Sequence, residues 1–326
     1  MKSKASLLVC ALLWSPVAGA AAAEFSPGGY PVRPIRVVVP SSPGGATDLF
    51  GRLAMLPLAE RLGQPVVIDN RPGAGSMIGT DLVAKATPDG YTLLVISSSF
   101  AINPSMYRKI PFDSIRDFAP VGLLSSYPHL VVVNPALRAN SIKELIALAK
   151  AKPGTVNFAS AGIGTPTQLG AELFKSMAGV DIVHVPYKGG GPALIGLSGG
   201  EAQLYIGPIV TLLPYVKAGR LKALAVTSAK RSSVLLDLPT VAEAGLPGFK
   251  QDAWNGLVAP ARTPRAIINK LHGEVGLVLN MPSIRKRLSA QGVEPGGISS
   301  EEFGAMLKDE IAKWAKVIHD AGIRPE

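Results

Sequence analysis

Two strand–turn–helix junctions constrain this chain more than any other feature. In the first, Ile35–Val39 is an apolar, β-branched run that reads as a buried strand. Pro40, Pro43, Gly44 and Gly45 break it, and from Thr47 onward Leu49, Leu53 and Leu56 carry helical spacing. In the second, Val156-Asn-Phe-Ala-Ser160 runs into Ala161, Gly162 and Gly164 and then into another helix. There Thr165 suits the N-cap, Pro166 the first helical position, and Gln168 the far end of a capping box. The first N–H groups of a helix have no internal partners, and glycines let a ligand come close to them. Each junction therefore reads as a backbone anion site. The first loop contains no Lys or Arg, so an anion there would rest on neutral N–H dipoles. One such turn is ordinary in α/β proteins, whereas two on opposite halves of a chain can close on the two ends of one small anion.

The rest of the chain continues the alternation. Strands are expected at 64–69, 91–96, 130–133, 155–159, 182–185, 202–206, 221–226 and 254–258, with helices between. Such order implies an α/β fold with parallel sheets. Helix 76–86 fills the first gap. Ser141 with Glu144 opens a helix to about residue 152, and Thr240 with Glu243 a short one. Thr263 and Pro264 begin a long helix to about 280. Ser299 with Glu302 starts the last, whose stripe of Phe303, Leu307, Ile311, Trp314 and Ile318 is explained by core packing.

Composition narrows the function. Lys2 and Lys4, an apolar run over 5–14 and small residues at 18–23 read as a cleaved signal peptide, which places the protein in the periplasm. Cys10, the only cysteine, would leave with it, so no disulfide or thiolate metal site is expected. Losing Lys2 and Lys4 takes the net charge from +10 to +8, a mild pull on anionic solutes. The basic residues are scattered and aromatics make up only 6%, which disfavours nucleic acid. The four histidines, His129, His184, His272 and His319, show neither i,i+4 pairing nor a carboxylate cluster, so no metal is expected. His184, on an expected strand, reads as a hydrogen-bonded structural residue.

Three letter patterns fail their structural context. Gly73-Ala-Gly75-Ser-Met-Ile-Gly79 has GxGxxxG spacing, and the next strand ends in Ser97-Ser-Ser99 without an acid for a ribose. Lys188-Gly-Gly-Gly-Pro192 lacks the ending of a phosphate-binding loop. Gly196-Leu-Ser198-Gly-Gly200 matches a nucleophile elbow by letter, but the order of strand and helix is reversed. No cofactor and no catalysis are expected. The rival reading is a periplasmic serine hydrolase using Ser198 or the 97–99 serines.

Seven motifs resemble the Bug family of periplasmic solute-binding proteins, the binding components of tripartite tricarboxylate transporters. They are Tyr30-Pro…Arg-Pro-Ile-Arg36, Pro43-Gly-Gly-Ala-Thr-Asp48, Asp69-Asn-Arg-Pro-Gly-Ala-Gly75, Ala86-Thr-Pro-Asp-Gly-Tyr91, Ala159-Ser-Ala-Gly162, His184-Val-Pro-Tyr-Lys-Gly189 and Leu238-Pro-Thr-Val-Ala-Glu-Ala-Gly245. They run in order over nearly the whole chain after the signal peptide.

The resemblance implies a two-domain Venus-flytrap fold with a cleft between the domains. Domain 1 would comprise 24–126 and 253–326, and domain 2 127–252, with crossings near 125–134 and 249–260. It also implies a monomer that binds a small carboxylate (a di- or tricarboxylate, an aromatic acid or an amino acid) and hands it to membrane transporter subunits. A sensory protein docking on a receptor is the variant of that role. The implied ligand contacts are Ser42, Gly44, Gly45, Ala46, Thr47 and Asp48 in the first loop, and Ser160, Ala161, Gly162, Gly164 and Thr165 in the second. Ser98 and Ser99 at a strand end join them. Asp48 would repel an anion, so its expected role is to complement the helix dipole and fix the loop. The chain departs from the family pattern at two pocket positions. Ser41 stands where an aromatic residue is usual, and Gly207 where an Asp is usual. Without that acid an amino acid's ammonium loses its partner, which favours a plain di- or tricarboxylate or an aromatic acid.

Overall fold

The computed structural model describes residues 29–320 together with 322, 323 and 325. The expected signal peptide and Cys10 lie outside the described residues. The elements, in chain order, are β1 (Ile35–Val39), α1 (Ala46–Leu62), β2 (Val66–Asn70), α2 (Met77–Ala84), β3 (Thr92–Ser97), α3 (Ser99–Met106), β4 (Phe118–Val133), α4 (Ile142–Ala151), β5 (Asn157–Ser160), α5 (Pro166–Ala178), β6 (Val183–Pro186), α6 (Gly190–Gly199), β7 (Leu204–Pro208), α7 (Ile209–Lys217), β8 (Lys222–Val226), β9 (Asp252–Pro260), α8 (Arg265–Leu279), α9 (Pro282–Ser289), β10 (Glu294–Pro295) and α10 (Ser300–Asp320).

The expected alternation is present, and it builds two parallel sets of strands. β2, β1 and β3 run parallel, with Val37 opposite both Ile68 and Leu93. β7, β5 and β6 form the second parallel set. Strands covered on both faces read as unbroken apolar runs, which is why β1 was plain in the sequence. What joins the sets was not plain in the residues themselves; the family resemblance alone implied crossings, near 125–134 and 249–260. The sheet order is β2-β1-β3-β9-β4-β7-β5-β6, with β8 and β10 also on β4. The stretch 130–133 is only the end of β4, a strand of 16 residues. From Phe118 to Pro128 it pairs antiparallel with β9, and from His129 onward with β7 and β8. The strand therefore leaves one set of partners and enters the other between Pro128 and His129. β9 ends its pairing at the same level, with Asp252 opposite Pro128, and Gln251 N–H already donates to Thr227 O. The whole is a mixed sheet, parallel in its two sets and antiparallel along these two strands.

Among the described residues, two apolar cores correspond to the two sets. One joins Val38, Leu94 and Ile96 to Trp254, Val258, Phe303, Leu307, Trp314 and Ile318. Here the α10 stripe packs on α3 and β4, with Phe303 against Trp254 and Gly256 of β9, at roughly 2 kcal/mol per fully buried large apolar side chain. The other joins Val131, Val133, Phe158, Phe174, Leu204, Ile206 and Phe249.

Local capping departs from expectation twice. Thr165 is the N-cap of α5, but its hydroxyl donates to Gly162 O rather than accepting from Gln168 N–H. Gln168 Oε1 accepts from Gly164 N–H, one residue earlier than a capping box requires. Thr240 and Glu243 do exchange both capping-box bonds. They close only a turn, because Thr240 is held in a bridge to Val226 and Gly245 takes φ +136°. At Ser299 and Glu302 the box forms and α10 follows.

Candidate ligand-binding site

A cavity of about 820 Å³ lies at the carboxyl ends of both parallel strand sets. Its walls are largely the starts of helices. Gly45, Ala46 and Thr47 come from the start of α1, Ala74, Gly75 and Ser76 from the turn before α2, and Ser97 and Ser99 from the β3–α3 junction. Thr165, Pro166 and Thr167 open α5, Gly189 and Gly190 open α6, and Pro208 and Thr211 open α7. Six helix N-termini thus face one space. Each carries roughly half a positive charge from its aligned peptides and presents N–H groups without internal partners. Open α/β sheets place their ligands at this end of the strands.

The side chains around the cavity leave that field unopposed. Among the described residues that line it none is acidic, and Lys188 is the single Lys or Arg. Burial drives the His129 imidazole down to about 3, so at neutral pH it is uncharged. Burial pushes the phenols of Tyr127 and Tyr205 well above their ordinary range, which keeps them protonated. The site can therefore hold an anion by dipoles and hydrogen bonds, and it offers no carboxylate to an ammonium group.

The first loop owes its shape to Asp48. Its carboxylate, 4% exposed, accepts from Gly44 N–H at 2.9 Å, Asn70 Nδ2 at 2.9 Å and Arg52 Nε at 3.0 Å. Asn70 Nδ2 also donates to Ser41 O, and Arg52 to Asn70 Oδ1. Burial raises the Asp48 carboxyl, but the hydrogen bonds from Arg52, Gly44 and Asn70, with the Arg52 charge, outweigh it and hold it below its ordinary value. In the second loop Ala161 N–H donates to Thr167 Oγ1, which is 2.9 Å from Thr165 Oγ1, and Gly162 N–H donates to Ser160 Oγ.

Ser42, Gly45, Ala46, Thr47 and Ser99 line the cavity, as do Ala161, Gly162 and Thr165. The other residues singled out from the sequence do not. Gly44 and Asp48 are bound to each other beneath the turn. Ser98 accepts from Trp254 N–H. Gly164 faces Tyr107 and Asn103, and Gly207 lies under the Tyr205 ring. Ser160, fully buried, is 2.6 Å from His184 Nε2. That Ser–His pair has no access to the cavity, and burial lowers His184 to about 4. Ser198 sits in α6 with a buried hydroxyl, away from the lining.

Sequence reasoning missed Tyr107, Tyr127, His129, Tyr187 and Tyr205, and the turn 73–76. The turn was legible by the same strand–glycine–helix logic as the two loops. In the sequence its glycines stand out as part of a family motif, Asp69 to Gly75, and as a false dinucleotide motif, and neither marks the turn as a ligand loop. Two contacts cross the cavity mouth: Ser42 Oγ donates to Lys188 O at 3.2 Å, and Tyr107 Oη to Ile163 O at 3.0 Å.

Comparison with known proteins agrees with this geometry. Residues 50–323 match the model of the tripartite tricarboxylate transporter family receptor. The chain belongs to that family. It is 39% identical to protein BugT of Bordetella pertussis over 305 residues, 93% of this chain and 94% of that one. Among solved structures it is similar to R. palustris Rpa4515 with adipate, at TM-score 0.89 and 38% identity, over 91% of this chain and all of that one. It is also similar to MatC from Rhodopseudomonas palustris with bound malate, at TM-score 0.85 and 33% identity, over 89% of this chain and all of that one. The receptor family is one of solute-binding rather than catalytic proteins, and its fold is the two-domain α/β fold of periplasmic binding proteins.

Proposed function

We propose that this chain is exported to the periplasm, captures a small dicarboxylate in the cavity, and delivers it to membrane subunits of a tripartite tricarboxylate-type transporter. The observation that carries the reading is the convergence of six helix N-termini on a space with no acidic wall. The adipate and malate held by its two structural relatives support a ligand with a carboxylate at each end. Among the described residues no helix is long and apolar enough to cross a membrane, so membrane partners would supply the channel.

The ligand contacts in this reading are the N–H groups of Ala46 and Thr47 on one side and of Thr167 on the other, with Ser42, Ser99 and Thr165 hydroxyls beside them. The two loops belong to different strand sets, so binding is coupled to their approach. Domain 1 would hold 24–126 and 253–326, and domain 2 127–252, with the hinge where β4 and β9 change partners. A ligand that touches both loops favours the closed arrangement by the difference of its affinities for the two states. The Ser42–Lys188 and Tyr107–Ile163 bonds would belong to that closed arrangement.

A thermal-shift panel tests the reading. Ligand that binds only the folded protein adds about 2.7 kcal/mol of stability at a hundredfold excess over Kd. Dicarboxylates are expected to raise the midpoint, and amino acids of the same length to raise it less. If no carboxylate shifts protein verified to be ligand-free, the cavity does not serve this role.

A further inference from the structure

The inner wall of the cavity shows a dependence between two residues on one strand. Tyr205 and Gly207 are two apart on β7, so they project from the same face. The Tyr205 ring lies back along the strand over Gly207. A Cβ added there would stand 2.7 Å from the ring's Cζ, and closer still to Cε1. Only a residue without a side chain leaves room for the ring in this position. The ring is 2% exposed. Its hydroxyl is directed at the Thr167 side chain and lies 3.6 Å from where a Cβ on Gly190 would be. The phenol therefore bridges from the sheet to the starts of α5 and α6, the two helix ends that present N–H groups on this side.

We propose that the Tyr205–Gly207 pair sets the length of ligand the cavity accepts, with the Tyr205 ring as the inner stop. The inference rests on the carboxylate reading above and adds its selectivity. The ring fills space between β7 and the α5 and α6 starts that would otherwise join the cavity. A chain extending from the first loop ends against the phenol, so the favoured ligands are the shorter dicarboxylates. Tyr127, on the neighbouring strand β4, stacks on Phe50 with centroids 4.8 Å apart, and its hydroxyl accepts from Asn255 Nδ2. It is anchored on its own and does not replace the stop.

The test is titration calorimetry across unbranched α,ω-dicarboxylates from succinate to sebacate, on wild type, Tyr205→Phe, Tyr205→Ala and Gly207→Ala. Wild type is expected to lose affinity beyond a chain-length cutoff. Tyr205→Phe keeps the ring, so it should keep the cutoff even if every affinity falls through a loosened Thr167. Tyr205→Ala should move the cutoff to longer acids, raising the affinity for the first excluded acid, relative to succinate, by about tenfold or more. Gly207→Ala pushes the ring into the cavity and should move the cutoff to shorter acids. A folded Tyr205→Ala protein with the wild-type cutoff overturns the proposal. If Tyr205→Ala shows no cooperative melting, Gly207→Ala decides: an unmoved cutoff overturns the proposal and a shorter one upholds it. Wild-type protein that binds no member of the series overturns the carboxylate reading itself, a result distinguishable from an unmoved cutoff.

Discussion

Gly75→Val is expected to weaken dicarboxylate binding by roughly a hundredfold, about 2.7 kcal/mol. Gly75 takes φ +59° between Ala74 and Ser76, both also at positive φ, so this turn is already strained. A Cβ here would stand 2.8 Å from the Ile163 carbonyl oxygen and 2.6 Å from Tyr107 Oη. Ile163 belongs to the second loop, whereas Gly75 follows β2. The added side chain therefore stands between the two strand sets at the point where Tyr107 reaches Ile163 O. Backbone oxygen cannot yield as a flexible side chain does, so the loops must part and a ligand that needs both is lost. A branched residue at positive φ adds roughly 1–2 kcal/mol of strain, small enough for the protein to stay folded. Gly273→Ala is the control: Gly273 is exposed in α8, and an added Cβ meets nothing within 4 Å. It should bind as wild type and melt slightly higher, since Ala favours the helix over Gly by about 1 kcal/mol. Calorimetry alongside circular dichroism separates the two effects. Gly75→Val with wild-type affinity would remove this turn from the closing surface.

Asp48→Ala should lower stability by about 2–3 kcal/mol. The exposed Arg52 head can return to water, so its ion pair contributes little. The loss falls on the hydrogen bonds that the carboxylate accepts from Gly44 N–H and from Asn70 Nδ2, which keeps Ser41 O as an acceptor, at roughly 1 kcal/mol or a little more each. For a chain of this size that is a fall in Tm of about 5 °C. Binding should weaken too, because the network holds Ser41 to Ala46 in place. The pH dependence follows from the direction of the shift. The folded carboxyl lies below its ordinary 3.8, so its stabilisation is fully present above that value. It is lost as pH falls through the lower folded value. The Tm difference between wild type and Asp48→Ala should hold from neutral pH down to about 4 and shrink below it. A difference that grows on acidification would mean that Asp48 is not held ionised by its neighbours.

The parts legible in the sequence were those with local causes. β1 announced itself by Val37, Val38 and Val39, and α8 by Thr263 and Pro264, because strand runs and helix starts are written in neighbouring residues. The two anion loops were legible for the same reason. The crossing along β4 was implied by the family resemblance alone, since Pro120, Gly122 and Pro128 interrupt any period and its pairing with β9 spans more than a hundred residues. Tyr127 and His129 were hidden with it. Tyr205 was hidden differently: it reads as an ordinary strand residue, and its role depends on Gly207 leaving space beneath the ring. The Thr240–Glu243 box misled because its bonds are local while the bridge to Val226 that limits it is not.

The most direct test of the account is a pair of titrations on ligand-free protein, using the dicarboxylate that gives the largest thermal shift and the diamide of the same length. The two molecules share shape and a carbonyl acceptor at each end; the diamide lacks the charge and carries an NH2 donor in place of the second acceptor oxygen. If dipoles of converging helix N-termini hold the ligand, the dicarboxylate binds with saturating heat and the diamide gives none at comparable concentration. Equal affinity for both, or binding of the diamide alone, would contradict the account.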